Sequence, residues 1–557
     1  MENNCKNCKQ LFIIDQQDQD FYRHMDVPTP RYCPPCRFQK RLMFRNERVL
    51  YKRNCDLCGK DMVTIHAPEK HLIVYCPKCW WSDDWDDGAF FLDYDPNKHI
   101  FEQMKELQKI TPHMGLVTDY ATLINSDYAN HLGSCKNCYL IFNADFNENV
   151  AYSTVVIRTK DSMDVQLCAD GQLLYECINI NSYKCAFSNT MEKCTDVLFS
   201  RYMIGCNNCF GCVNLRGKSY YIFNEPYSKE EYAEKLKSFE LHTWSGLRQA
   251  QAKAHEFWAK HPYRYMEGSL QNLNSTGDYV FNAKNALNCF QVNEVEDSRY
   301  CQFITMKPVK DCYDLTEWGN GAERVVDSMT VGEGGSNIRY CAGAWKDTSD
   351  VEYSMYNTGC KNTFACINLK KKKYRILNKQ YTPDEYKKLR DHIVANMPEY
   401  GDFLPYDLSP FAYNESQAIQ YFPMTKEEVL AKGLPAQAGW KWRDPTPSSH
   451  KITMNADQIP DSIHDIQDSI LDEVLGCGKC GKPFRLIHME LNLLRLWGFP
   501  IPRYCPDCRH MARLAQINPP RLYDRQCMKC QAPIQTSYAP ERPEVIYCGE
   551  CYANEIA

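Results

Sequence analysis

Eight Cys-x-x-Cys pairs, arranged twice in the same register, constrain this chain more than any other feature. The first set is Cys5/Cys8, Cys33/Cys36, Cys55/Cys58 and Cys76/Cys79, and the second is Cys477/Cys480, Cys505/Cys508, Cys527/Cys530 and Cys548/Cys551. The spacing between successive pairs is identical in the two sets, so adding 472 to a position in the first gives its counterpart in the second. Two thiolates separated by two residues grip one metal ion from a tight turn, and a second such turn completes a tetrahedral shell. The spacing predicts two four-cysteine sites at each end of the chain and four Zn²⁺ in all. Sequential pairing, first knuckle with second and third with fourth, is the simplest arrangement; a cross-braced pairing fits the spacing as well. A closed shell of four sulfurs leaves no position for substrate, which makes a structural role the leading expectation.

The remaining composition separates a metal protein from a disulfide scaffold. Of 31 cysteines, 16 fall in the metal pattern, which needs reduced thiols. The opening Met1-Glu-Asn-Asn-Cys5 carries no apolar leader, and no apolar run is long enough for a membrane span. The expectation is a cytoplasmic protein with no membrane partner. A net charge of −5 excludes a polybasic nucleic-acid coat but leaves room for local basic patches.

One such patch follows the second knuckle. Between residues 31 and 60 lie Arg31, Arg37, Lys40, Arg41, Arg45, Arg48, Lys52, Arg53 and Lys60 against Glu47 and Asp56, a net charge of +7. Arg37, Arg41, Arg45 and Arg48 recur at helical spacing, so a knuckle followed by a helix with a basic face is expected. The second set retains Arg503, Arg509, Arg513 and Arg525 but has Ile517 and Pro520 in place of Arg45 and Arg48. These cations are candidate contacts to RNA phosphates. The alternative is a solvated or protein-facing surface.

Cys5-x-x-Cys8-x-x-Leu11-Phe12, Asp20-Phe21-Tyr22 and Pro30-Arg31-Tyr32-Cys33-Pro-x-Cys36-Arg37 together resemble the "probable zinc-ribbon" domains of treble-clef type. The layout as a whole resembles large uncharacterised zinc-ribbon proteins of candidate phyla radiation bacteria, with terminal zinc modules around a Cys- and Tyr-rich middle. The resemblance implies Zn²⁺ at the sixteen cysteines and supplies no activity. The second copy departs from the small-domain pattern at Asn492-Leu493-Leu494, which stands where the first has Asp20-Phe21-Tyr22.

The middle consists of short β-favouring runs every 10–14 positions, among them Asn137–Ile141, Val150–Ser153, Lys160–Val165, Leu174–Ile178 and Cys194–Phe199. Similar side chains recurring in successive runs favour a parallel β-solenoid. It is internally doubled. The segment Cys206–Tyr232 matches Cys360–Tyr386 at an offset of 154, and Lys160-Asp-Ser-Met-Asp164 answers Lys310-Asp-Cys-Tyr-Asp314. Ser228-x-x-Glu231, Thr382-x-x-Glu385 and Thr425-x-x-Glu428 are capping boxes that start helices. The first of these helices is expected to be long, about 228–260, and the third to stop at Gly433. The trio Cys206/Cys209/Cys212 suggests a fifth metal site, but Thr363 replaces Cys209 in the second copy, so small buried core residues are the preferred reading. Pro398, Pro405, Pro410, Pro423, Pro435, Pro445 and Pro447, with Trp440 and Trp442, mark an extended aromatic strap. An amphipathic helical pattern, Ile463, Ile466, Ile470, Leu471 and Val474, follows it.

The resulting division is a zinc module at 1–95, a helical connector at 96–119, two β-solenoid halves with helices at 120–260 and 261–396, a strap and helix at 397–476, and a second zinc module at 477–557. The fold class is multidomain and mainly β. No phosphate loop, Gly-x-Ser-x-Gly or His-Glu-x-x-His is present, so a non-enzymatic binding or scaffold protein is expected. Its partner is RNA or a ribosomal surface in one version, and a protein or a second copy of itself in the other. An enzyme whose cleft is assembled from distant residues is the least favoured class.

Overall fold

The computed structural model describes residues 1–269, 271–432, 440–446 and 450–556. Gly433, Pro435 and Pro447 lie outside the described residues. Two large sheets of mostly parallel strands form the body, one from Asn130–Gly133 to Glu225–Pro226 and the other from Gly277–Phe281 to Lys379–Gln380. Neither sheet closes into a barrel.

The register follows a simple rule. In the first sheet Phe142 pairs with Thr154, Thr154 with Gln166 and Gln166 with Ile178, a constant step along the chain. In the second the step varies slightly: Ser336 pairs with Ser349, 13 residues on, then Ser349 with Lys361 and Lys361 with Lys373, 12 residues on each time. From Asn137 to Asn179 every third residue sits in the left-handed region, with φ from 47° to 60°. The chain therefore turns a corner every three residues and lies beside itself four corners later. Asn, Asp and Gly take such corners readily, yet Leu140, Phe146, Tyr152 and Val155 hold them too. Ladders of polar side chains along one corner add support: Asn125 donates to Asn137, Asn137 to Asn149 and Asn149 to Asp161, at 3.1, 3.1 and 2.8 Å.

The same triplet period explains the cysteine-rich interior. The residues that point inward are also three apart and small, among them Cys138, Ile141, Ala144, Val150, Val156 and Cys168, all 3 % exposed or less. A narrow coil has no room for larger groups, and cysteine serves as a compact apolar residue. Inward serines take up backbone donors from the next turn: Ser153 Oγ accepts from Val165 N, Ser182 Oγ from Cys194 N and Ser200 Oγ from Cys212 N, all at 3.0 Å.

Helices lie outside the sheets. All three capping boxes form, starting Lys229–Lys237, Pro383–Ala395 and Lys426–Ala431. The expected single helix over 228–260 is instead two, Lys229–Lys237 and Trp244–Ala259, the second with its own cap at Thr243. The connector helix is Ile100–Ile110, stopped before Pro112. The helical pattern after residue 461 forms two short 3₁₀ turns, Ile463–Asp465 and Asp468–Leu471, rather than an α-helix. Ile463, Ile466 and Ile470 are buried there beside Leu491 and Leu494, so the apolar spacing serves a core contact without a continuous helix. No described helix is long and apolar enough to cross a membrane.

The two ends dock crosswise. The N-terminal module packs Phe38 and Leu42 against Phe303, Tyr313 and Val326 of the second sheet. The C-terminal module packs Leu491, Leu494 and Phe499 against Tyr152, Met163 and Tyr175 of the first. Part of the strap runs over the N-terminal module. There Ser409 Oγ donates to Met43 O at 2.7 Å, Gln417 N to Arg45 O at 2.8 Å, and Gln39 Nε2 to Tyr413 Oη at 2.8 Å. Trp440 stacks on Tyr413 with ring centroids 5.3 Å apart.

Candidate metal centres and the arginine rows

Sixteen cysteine sulfurs gather into four groups: Cys5/Cys8/Cys33/Cys36, Cys55/Cys58/Cys76/Cys79, Cys477/Cys480/Cys505/Cys508 and Cys527/Cys530/Cys548/Cys551. The pairing is sequential in each module, and the cross-braced alternative is not the one adopted. Within each group the sulfurs lie within 4.8 Å of one another. Cys8–Cys33, Cys480–Cys505 and Cys530–Cys548 are 3.7, 3.7 and 3.8 Å apart. A tetrahedron built on metal–sulfur bonds of about 2.3 Å has edges of about 3.8 Å.

Local chain geometry makes each centre in the same way. The first knuckle of every site closes with the fifth residue left-handed (Lys9, Gly59, Gly481 and Gln531, φ 63° to 72°), its N–H returned to the first cysteine's carbonyl. The second knuckle opens a helix. Cys33, Cys76, Cys505 and Cys548 are the N-caps of Pro34–Leu42, Pro77–Trp81, Pro506–Leu514 and Gly549–Glu555. Proline at the first helical turn of three of them costs nothing, because its missing donor has no helical partner there. The N–H of each capping cysteine donates to the sulfur of the first cysteine, Cys5, Cys55, Cys477 or Cys527, at 3.2–3.3 Å. Burial pushes the Cys55, Cys477 and Cys527 thiols up, but backbone donors outweigh it and bring Cys55 to about 7 and Cys477 and Cys527 to about 6. The thiolate is the metal-binding form, so the turn prepares the ligand.

Cys206, Cys209 and Cys212 are buried and form no such group among the described residues. Their thiols donate to the carbonyls of Ile204, Asn207 and Phe210 at 3.5, 3.4 and 3.4 Å.

The arginine rows begin on the residue after a ligand, Arg37 after Cys36 and Arg509 after Cys508, and most of them do not face solvent. The first helix ends at Leu42, so Arg45 and Arg48 follow it rather than extend it. Arg37 Nε donates to Asp314 Oδ2 at 2.8 Å. Arg41, fully buried, pairs with Asp327 at 2.5 Å and Asp314 at 3.2 Å and also donates to Thr316. Arg45 pairs with Glu47 and Glu317 at 2.9 and 3.4 Å. In the second module Arg509 pairs with Asp164 and Glu490 at 3.2 and 2.7 Å, and Arg513 with Asp164 and Glu176 at 2.8 and 3.0 Å. Asp164 and Asp314 are the repeat-matched aspartates of the two sheets. The two copies thus repeat one arginine–aspartate arrangement, each on the opposite sheet.

The other candidate cations are partnered as well. Arg31 is bidentate on Asp402, Arg48 reaches Asp507 and Thr154, Arg53 reaches Asp56, and Arg503 reaches Asp461. Lys40 lies 4.2 Å from the Tyr32 ring centroid and donates to Phe403 O, while Arg525 donates to the carbonyls of Tyr538 and Ala539. The +7 patch is a correct count of charge, but the carboxylates that neutralise Arg37 and Arg41 belong to the second sheet, far along the chain. The repeat of Asp164 as Asp314, beside the repeat of Arg37 as Arg509, was the sequence signal for them. Asp18, Arg299, Glu176 and Asp327 complete the interfaces and carried no separate signal; Arg299 pairs with Asp18 at 2.9 Å.

No protein-family model matches the chain, and no curated protein matches it.

Proposed function

We propose that this is a non-enzymatic scaffold protein in which four Zn²⁺ brace two β-solenoid halves, the metal sites holding the arginine rows that fasten each module to the opposite half. The observation that carries this reading is the position of Arg37 and Arg509. Each directly follows a cysteine of a four-sulfur cluster and is buried on a carboxylate of a parallel sheet. Zinc is the fitting ion for a closed four-thiolate tetrahedron, and its binding energy becomes folding energy. The nearly constant register step and the corner at every third residue from Asn137 to Asn179 support the solenoid, and the zinc-ribbon resemblance of the modules agrees with the sequential pairing.

A scaffold of this kind meets a protein or a second copy of itself. An RNA- or ribosome-facing role falls instead to cations left in solvent, such as Lys52 and Lys60. The test combines metal analysis, small-angle scattering before and after chelation, and recovery of nucleic acid from protein purified without nuclease. Four zinc ions per chain, expansion on chelation and no bound nucleic acid are expected. A chain that stays compact without metal refutes the brace. Nucleic acid held at low salt and released at about 0.5 M would transfer the role to RNA binding.

A further inference from the structure

A cavity of about 250 Å³ opens where the N-terminal module meets both sheets, and apart from Arg45 neither the metal centres nor the arginine rows account for its lining. Trp81, Trp318 and Trp345 contribute aromatic walls, and Asp119, Asp145 and Glu333 contribute carboxylates. The tryptophans are held in place from behind. Trp81 Nε1 donates to Thr118 O at 3.0 Å and Trp345 Nε1 to Thr330 O at 3.2 Å, and the Trp318 and Trp345 rings meet edge-on at 6.5 Å. Thr118 also lines the cavity. It is 6 % exposed, and its hydroxyl finds no partner among the described residues.

The charge in this cavity is unbalanced. Arg45 borders it but is engaged by Glu47 and Glu317, and burial keeps His131 neutral. One further cation is present: Lys346 Nζ lies 3.7 Å from Asp119 and 5.5 Å from the Trp81 ring centroid. Burial pushes the Asp145 carboxyl up to about 7 against the Gly133 N–H that binds it, and Glu333 and Asp119 add to the rise; Glu333 is raised as well, chiefly by burial. Asp145 and Glu333 make no ion pair among the described residues, Lys346 being the one cation shared by three carboxylates, and a neutral ligand would leave that excess uncompensated. A cation over tryptophan faces is attracted by the ring quadrupoles, the more so when water is excluded. Lys346 beside Trp81 already shows this contact within the chain.

We propose that this cavity binds a small organic cation, a primary or alkylated ammonium, between the tryptophan walls and the carboxylates of Asp145 and Glu333. The volume suits a small molecule rather than a polymer segment. Calorimetry on the full-length, zinc-loaded chain tests it with choline and n-butylammonium as probes. The uncharged choline isostere 3,3-dimethylbutanol and the neutral trisaccharide maltotriose complete the set. At least one cation should bind about tenfold tighter than the isostere. The isosteric variants Asp145→Asn and Glu333→Gln should each weaken it about tenfold with unchanged melting temperature, and Lys346→Met should tighten it several-fold by removing the competing internal cation. Equal binding of choline and its isostere, binding of maltotriose alone, weaker binding by Lys346→Met, or no response to either cation at about 10 mM would each overturn the assignment.

Discussion

Truncating Arg41 is the sharpest test of how the ends of the chain are held. Its guanidinium is 0 % exposed and lies between Asp327 at 2.5 Å and Asp314 at 3.2 Å, with further hydrogen bonds to Thr316 and Gln302. Arg41→Ala would leave Asp327, 6 % exposed, without its cation, while Asp314 would keep only Arg37. Removing one partner from a buried pair costs about 3–5 kcal/mol, mostly because the other charge stays buried. Arg513→Ala should cost a similar amount, since Asp164 and Glu176 would lose the same support. A fair control is Arg158→Ala. That arginine also makes a two-pronged contact, to Asp170, but both side chains are about half exposed and the expected loss is about 0–1 kcal/mol. Urea unfolding followed by tryptophan fluorescence, at fixed zinc, measures all three. If Arg41→Ala behaves like Arg158→Ala, the buried interface does not hold the module in solution and the clamp reading fails. Charge reversal at Arg37, Arg41 and Arg45 is by the same reasoning a stability experiment and a poor probe of nucleic-acid contact.

Other expectations can be checked directly. Cys505→Ser should lower the metal content from four to three ions per chain and loosen the C-terminal module, read by elemental analysis and limited proteolysis. Gly277→Ala should cost more than about 3 kcal/mol, because φ is 145° and an added Cβ would sit 1.6 Å from Cys289 O. Gly217→Ala, at a corner with φ 60° and open space around it, should cost about 1 kcal/mol, and thermal melts separate the two. Burial, then repulsion from Asp278, pushes the Glu267 carboxyl up to about 8 in the folded chain. A raised carboxyl contributes stability that is complete below its unfolded value near 4.5 and lost as pH rises through about 8. Glu267→Gln should therefore flatten the fall in melting temperature between those limits.

The sixteen cluster cysteines were legible because two thiolates at fixed spacing, repeated in register, admit few other purposes, while spacing alone left sequential and cross-braced pairing both open. The parallel sheets were legible as short recurring runs, and the capping boxes at Ser228, Thr382 and Thr425 placed three helix starts correctly. The period of the coil was harder to see. Its corners are left-handed, and residues such as Tyr152 and Val155 resist that conformation when considered alone. Neighbouring turns stabilise them, which local propensity does not register. Asn137, Asn143, Asn149, Asp161 and Asp164, all spaced by multiples of three, carried the trace. The arginine rows failed for a related reason. Helical spacing reveals that Arg37 and Arg41 share a face, but whether that face meets water or Asp314 depends on contacts 277 residues distant.

The crosswise docking also governs how this chain is made. At roughly 5–20 residues per second of synthesis, Arg37 is produced about 14–55 s before Asp314, 277 residues later. Glu176 waits longer still, since Arg513 follows it by 337 residues. For most of translation, then, a basic helix and an acidic sheet surface are both exposed on one nascent chain and belong to different final contacts. The metal centres can close early, each from a single short stretch of chain, and hold the first helix in shape through the delay. The C-terminal module (477–557) covers a surface completed long before it emerges. A transcript cut short ahead of that module would release a first half with Asp164 uncovered and nothing left on the chain to cover it.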